Sequence, residues 1–493
     1  MTSQTETAEA PRRTFLGWPR WFGTLFVVDM WERFSFYGML AILYLYLVAP
    51  AERGGLGMAP DTASALFGIY MAMVFMAALP GGWVADRLLG ARRAVFAGGV
   101  LIALGHLCLA IPMDGALYPG LGLIIAGTGL VKPSMAAMIG EMYPGRPEKR
   151  EAVFSIFYMS IQVSALFAPL LTGYAAERVD WHLGFGIAAV GMFAGLIQYG
   201  VGLRNFGDVG LRPVNPATPE ERARVLRGTA LWGGVPLLLV VAGVAFGALT
   251  LDRVLMLIGL VLLVAPVVYF RRLLRRPGVE AEDRPRLRAF LWMLLASSVF
   301  WLMFAQGPAL LNLFALESVD RDVAGFEVPA SWFQSAQPLF LLLLAPLFAL
   351  LWTRLGARVG TPPKFSAGLL AGGVSFAVMA FAASQAESGL VSPFWLLLVY
   401  LLIVCGELTV GPVGLSLAAE VAPRGHTSQV LGLFWMFAAI GAALGGRLAE
   451  LTNVLPLPVY YLVLALLGVC TALALAAGAK SLGRRLQATS RRT

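Results

Sequence analysis

The sequence predicts an all-α polytopic membrane protein, on three observations. The chain is 58% hydrophobic and 13% charged, with a mean hydropathy of +0.76, whereas about a quarter of the residues in a soluble domain are charged. Apolar runs of 18 or more residues recur from end to end, each long enough to cross a hydrocarbon layer about 30 Å thick. Finally, Lys and Arg are unevenly shared between alternate loops, the mark of a chain threaded repeatedly through a bilayer.

Taken in order, a polar tail over 1–20 precedes helices expected at 21–49, 62–88, 93–112, 117–142, 151–175 and 181–203. These form a first six-helix unit, 21–203. A polar, proline-containing stretch, 204–227, then opens a segment to 286 that holds two further helices, 228–250 and 254–272. A second six-helix unit, 287–480, follows with helices at 287–316, 331–353, 365–384, 393–420, 427–450 and 457–479, and 481–493 forms a tail. With fourteen spans, 30 of the 37 Lys and Arg fall on the side of the N-terminus and five (Arg53, Arg178, Arg253, Arg321, Arg447) on the other. That asymmetry places both termini in the cytoplasm of a cell whose inner membrane holds the chain. The remaining two, Arg33 and Lys132, lie within spans. The pair 228–272 carries no charge in its interiors and is expected at the periphery. A weak repeat, "GGWVADRLLGARR" (81–93) and "FALLWTRLGARVG" (348–360), relates the two six-helix units, a common plan for transporters whose substrate site lies between repeats.

Other function classes find little support. The net charge of +9 is a topology signal and gives no basic face for nucleic acid. Cys108, Cys405 and Cys470 sit far apart inside apolar runs, without disulfide or zinc spacing. His106, His182 and His426 are scattered and no hydrolase or metalloprotease motif occurs, so no enzyme, metal or cofactor is expected. The N-terminus lacks the short apolar core of a removable signal.

The informative residues are charges that lie too deep. In "DMWERFSFYG", Asp29, Glu32 and Arg33 interrupt the first span, Lys132 stands near the middle of the fourth, and Glu407 near the middle of "IVCGELTVGP". A midplane ion costs at least about 2.5–3.5 kcal/mol on insertion scales, so it faces a partner or a cavity. Asp86, Arg87, Glu141 and Glu420, near helix ends, can reach the interface instead. The deep groups are read either as a buried network that only locks the bundle or as the movable ion pairs of a polar cavity. Two cations in the first unit and an acid in the second suit a zwitterion. Desolvation and a nearby cation act oppositely on a carboxylate's proton affinity, so substrate that displaces the cation could drive proton uptake. Gly and Pro in "KPS" (132–134), "GPALLNLFA" (307–315) and "GELTVGPVG" (406–414) either bend helices near the midplane or serve ordinary close packing.

On these motifs the chain resembles the proton-coupled oligopeptide transporter family of the major facilitator superfamily. "DMWERFSFYG" is similar to that family's ExxERFxYYG, and "GGWVADRLLGARR" to the superfamily's loop motif, here Gly82, Asp86, Arg87, Gly90, Arg92 and Arg93. "GTGLVKPSMAAMIGEMY", "FSIFYMSIQVSALFAPLL", "FWLMFAQGPALLNLFA", "SWFQSAQPLFLLLLAPLFALLW" and "GELTVGPVGLS" resemble the family's fourth, fifth, seventh, eighth and tenth helices. The pair 228–272 matches the two added helices of bacterial members. The resemblance implies a major facilitator fold of two six-helix bundles plus two helices, working as a monomer in a lipid bilayer, with protons and a small peptide as its partners. It implies proton coupling at Asp29, Glu32, Arg33 and Lys132. Substrate contacts fall to Arg33, Phe36, Tyr37, Phe75, Lys132, Gln162, Trp301, Asn312, Gln337, Glu407, Phe434 and Trp435.

The chain also departs from the pattern. Phe36 and Phe75 replace tyrosines, Gln162 and Gln337 replace asparagines, and "LGLFW" stands for "MGxWF". The "FEQ" of the seventh helix is "FAQ", so Ala305 occupies the place of an acid that can pair with the fourth-helix lysine. Lys132 is then expected to pair within its own half or with substrate. Two readings stay open: proton-driven import of di- or tripeptides or peptide-like compounds, and an uncoupled or differently coupled carrier or exporter of another small amphipathic molecule.

Overall fold

The computed structural model describes residues 14–15, 18–113, 115–142, 147–276, 279–355, 358–423 and 426–487. Much of the expected tail 1–20 and the end of the tail 481–493 lie outside these, as do Arg146 and Arg424 of the loop-charge count.

The first half holds α1 (Arg20–Val48), α2 (Pro60–Val84), α3 (Ala91–Ala110), α4 (Leu117–Met142), α5 (Pro147–Arg178) and α6 (Trp181–Gly202). The middle holds α7 (Pro219–Thr229), α8 (Val235–Ala245) and α9 (Leu251–Leu273). The second half holds α10 (Asp283–Phe304), α11 (Asn312–Ser318), α12 (Ala336–Leu355), α13 (Thr361–Ala386), α14 (Pro393–Val421), α15 (Thr427–Leu448) and α16 (Leu457–Gln487). Starts follow local chemistry. Asp180 accepts from the His182 and Leu183 backbone N–H groups at the head of α6, and Ser392 from Phe394 before Pro393 opens α14, satisfying donors that a helix leaves unpaired. Thr218 and Glu221 cap α7 reciprocally.

Among the described residues, twelve helices are long and apolar enough to span a membrane. α1 has the length, 29 residues, and is left out of the twelve by the charges it carries. The expected span 228–250 differs: the helical segment starts at Pro219, passes a π-turn at Ala230–Gly234 and ends at Ala245, and it is not among the twelve. The expected single span 287–316 is broken: α10 ends at Phe304, a π-turn occupies Gly307–Leu311 with Ala309 at φ −108°, ψ −105°, and α11 resumes at Asn312. By contrast α4 and α14 continue through Pro133 and Pro412. Of the three Gly/Pro stretches, the one at 307–315 therefore breaks its helix.

α1 packs on α5 and α6, and α3 on α4; in the second half α13 packs on α14 and α16, and α10 on α15. α2 runs along α15 across the two halves, and α5 meets α12 and the turn Ala330–Ser335. Lipid tails are as apolar as leucine, so such contacts depend on close approach of small residues. A Cβ on Gly81 would meet the Gly129 carbonyl oxygen at 2.0 Å, where α2 crosses α4. α9 lies against α2 and α15 with most of its surface exposed and Leu255, Leu262, Pro266 and Phe270 buried.

Hydrogen bonds between the halves gather at the end that bears Arg53, Arg178 and Arg321. The Asn312 amide donates to the Ala41 carbonyl on α1 (2.8 Å), and Trp332 to the Leu170 carbonyl (3.0 Å). Glu177, at the end of α5, accepts from the Ala330 and Ser331 backbone N–H groups, both at 2.8 Å. An anion at the head of a helical turn is a favourable pairing. Arg178 adds an ion pair to Glu327.

Candidate functional site

The charged cluster of α1 is a closed unit. The i, i+4 spacing lays Asp29 and Arg33 on one helix face, and the Arg33 Nε stands 3.5 Å from Asp29 Oδ1 and 3.0 Å from Glu32 Oε2. The Ser160 hydroxyl of α5 donates to Asp29 Oδ2 at 2.8 Å. All three ions are buried, Glu32 to 1% exposure. One cation is thus shared by two buried carboxyl groups. Both Glu32 oxygens lack a hydrogen-bond partner, so Glu32 is held by charge attraction alone.

Lys132 of α4 faces rings. Its Nζ lies 5.1 Å from the centre of Phe36 and 5.8 Å from that of Phe75, distances at which a ring face attracts an ammonium. Among the described residues it has no carboxylate within 4.0 Å; the ion pairs of the α1 cluster pass through Arg33. The pairing expected for Lys132 inside its own half is thus replaced by aromatic contact, through the two phenylalanines that depart from the family pattern.

Phe75 joins Lys132 to the second half. It stacks on Trp435 of α15 at 5.6 Å and 8°, and lies 6.5 Å from Trp301 of α10. Trp301 in turn meets Trp435 at 5.8 Å and Phe304 at 4.9 Å. The Trp301 Nε1 is buried without a partner, leaving a donor open on the ring cluster. Ala305 follows directly, at the end of α10 where the helix breaks.

A cavity opens beside these rings. Tyr37 and Gln162 line it from the first half; Pro308, Gln334, Gln337 and Glu407 line it from the second. The Gln337 amide donates to Glu407 Oε2 at 3.1 Å, and Gln334 donates to the Tyr400 hydroxyl at 2.8 Å. Tyr37 sits one turn beyond Arg33 and touches Phe36 edge to face at 5.4 Å, so the cavity adjoins the α1 cluster. Its chemistry is amphoteric: a carboxylate on one wall, amides and a phenol on both, cations behind one wall.

Two expected contacts stand apart. Asn312 is fully buried and bonds α1, fastening the halves together. Phe434 is 1% exposed and fills the space left by Gly414, while its neighbour Trp435 faces the rings. Missing from the sequence reading are Ser160, Gln334 and Pro308. A signal existed for the first: Ser160 and Ser164 recur at i, i+4 on α5, and Ser164 donates to the Met30 carbonyl.

The loop motif has a separate task. After a π-turn at Ala85–Leu89 the chain reverses at Gly90, whose φ of +81° favours glycine. The linker then lies down on it. The Asp86 and Arg87 carbonyls accept from the Asn215 and Ala217 N–H groups at 3.1 and 3.0 Å. The Arg92 guanidinium donates to the Gly207 carbonyl at 2.6 Å, and Arg87 faces Glu221 at 3.5 Å. Glu141 accepts from the Gly210 N–H at 2.9 Å, a fixed role where a free interfacial side chain was expected. Gly82 lies against Pro133 of α4, and Arg93 is exposed.

The POT family model matches residues 92–463, three quarters of the chain. The chain belongs to the POT family. It is 39% identical to the uncharacterized transporter YclF of Bacillus subtilis, with 92% of each chain covered. It is 35% identical to the di-/tripeptide transporter of Lactococcus lactis, covering 89% of this chain and 90% of the relative. Among solved structures, a peptide transporter POT variant in complex with alafosfalin is 38% identical, with a TM-score of 0.90 over 97% of each chain. The two halves and their added helices are therefore a major facilitator fold, and the chain is a multi-pass membrane transporter.

Proposed function

We propose that this POT-family protein imports di- and tripeptides or peptide-like compounds, coupled to protons, by alternating access of its two halves. The observation that carries this reading is the cavity between the halves, with Glu407 on one wall and the Arg33 and Lys132 side behind the other. A peptide's ammonium suits Glu407 with its Gln337 partner, and its carboxylate suits the cationic side. Lys132, with no carboxylate within 4.0 Å among the described residues, is the cation most available to substrate. Asp29 and Glu32 share Arg33, so a change in Arg33's position alters what either acid can hold, which supports placing proton coupling there. Trp301, Phe75 and Trp435 serve the side chains. The units are 21–203 and 287–480, joined through 204–286, and the protein works as a monomer with both termini in the cytoplasm of the inner membrane.

The test is uptake of a labelled dipeptide into proteoliposomes under an imposed pH gradient. Accumulation abolished by a protonophore is expected, and absence of peptide binding overturns the assignment. Glu32→Gln is expected to reduce gradient-driven uptake to background while counterflow continues; retained accumulation places the proton elsewhere. One observation favours a second reading, a differently coupled carrier: Ala305 offers no acid to Lys132, and rings occupy its surroundings. Exchange of peptide indifferent to the gradient selects that reading.

A further inference from the structure

A groove lies on the lipid-facing side, away from the cavity. It follows one face of α9, Leu260, Val261, Val264, Val268 and Arg272, with Met436 of α15 at its floor. Its upper length is wholly aliphatic. At its cytoplasmic-loop end stand Tyr269 and Arg272, followed by Arg271, Arg275 and Arg276, all four arginines exposed. Among the described residues none of the four has a carboxylate within 4.0 Å, whereas nearby Arg286 is paired with Glu420 at 3.2 Å.

We propose that this groove holds an anionic phospholipid of the leaflet that the basic loops face, its acyl chain along α9 and its phosphate on Arg272, Arg275 and Arg276. The aliphatic lining matches a hydrocarbon chain, and unpaired guanidiniums at its end match a phosphate, for which a planar fork is well shaped. Basic pockets between spanning helices on this side are suited to anionic head groups. The chain lies where it can matter. Met436 touches the groove while Trp435, the next residue on α15, stacks on Phe75 in the ring cluster. α9 also contacts α2 as well as α15, so the occupied groove lies along a seam between the halves.

Native mass spectrometry of the purified full chain, titrated with phosphatidylglycerol, phosphatidylcholine of the same chains, or inorganic phosphate, tests this. Phosphatidylglycerol is expected to be retained preferentially, and inorganic phosphate is expected not to displace it. Arg272→Ala and Arg276→Ala should each weaken phosphatidylglycerol retention by about fivefold, from the attraction of one basic residue near an anionic surface. Val264→Trp should lower retention of both lipids by filling the groove. Equal retention of the two lipids, displacement by phosphate, or an unaltered preference in the arginine variants overturns the proposal. In case a variant misfolds, wild-type protein with a photoactivatable acyl chain on phosphatidylglycerol gives the same decision. Crosslinks within 260–272 and at Met436 support the groove, and crosslinks only elsewhere overturn it.

Discussion

The two walls of the cavity handle buried charge in opposite ways. In the first half, Asp29, Glu32 and Arg33 compensate one another within a single turn and a half of α1, with Ser160 in support and Lys132 held apart by Phe36 and Phe75. In the second half, Glu407 has no ion pair among the described residues, accepts from one amide, Gln337, and opens directly onto the cavity. A clustered network can shift protons and partners internally; a solitary acid can only wait for a cation from outside. Under the proposed function, coupling falls to the first half and recognition to the second.

The strongest way to break this comparison is to remove the shared cation. Arg33→Ala leaves two carboxylates buried without their shared cation, and breaking a buried pair in this way costs about 3–5 kcal/mol. A large fall in thermal stability is expected, partly restored when Glu32→Gln is added; if the double variant is no better than the single, the acids do not depend on Arg33. Next comes the solitary acid. Glu407→Gln should raise KM for dipeptide by tenfold or more, since a hydrogen bond to a charged group contributes about 1.5–3 kcal/mol, with gradient dependence kept. Loss of coupling in that variant would erase the division.

A smaller effect is expected at the rings. Phe75→Leu removes one aromatic face from Lys132 and the stack on Trp435, a change of about 0.5–2 kcal/mol in binding, read as a several-fold weaker affinity with unchanged protein stability. The smallest is a gain: Ala305→Glu places an acid near the ring cluster and should sharpen the dependence of uptake on the pH gradient. No change would show that the α1 network suffices.

Much of this was legible in the sequence because burying charge in a membrane is costly enough to be conspicuous. Asp29, Glu32, Arg33, Lys132 and Glu407 stand out against uncharged runs, and all five lie in the interior of spanning helices. Hydrogen-bonding neutral residues carry no such signal. Ser160 showed only as one of an i, i+4 pair with Ser164, Gln334 looked like any polar residue of a helix, and Asn312 was assigned to substrate although its amide bonds α1. Proline also misled. α4 and α14 pass through Pro133 and Pro412, since neighbouring helices can satisfy what proline frees, while the break fell at Gly307–Leu311, although Gly411 and Pro412 adjoin in the same way. Glu141 resembled a free interfacial acid because its partner, the Gly210 N–H, lies 69 residues away, a separation invisible to local pattern.

The linker deserves a mechanical reading. On paper, 204–227 is slack between two bodies that must rotate against each other. In the fold it is moored at Gly207, Gly210, Asn215, Ala217 and Glu221 to the end of the first half. Little free rope is left, so the play between the bodies has to be taken up past Glu221, in the stretch that runs through α7, the π-turn at Ala230–Gly234 and α8. Whatever slack the covalent connection between the halves has therefore lies in the segment that carries the added helices.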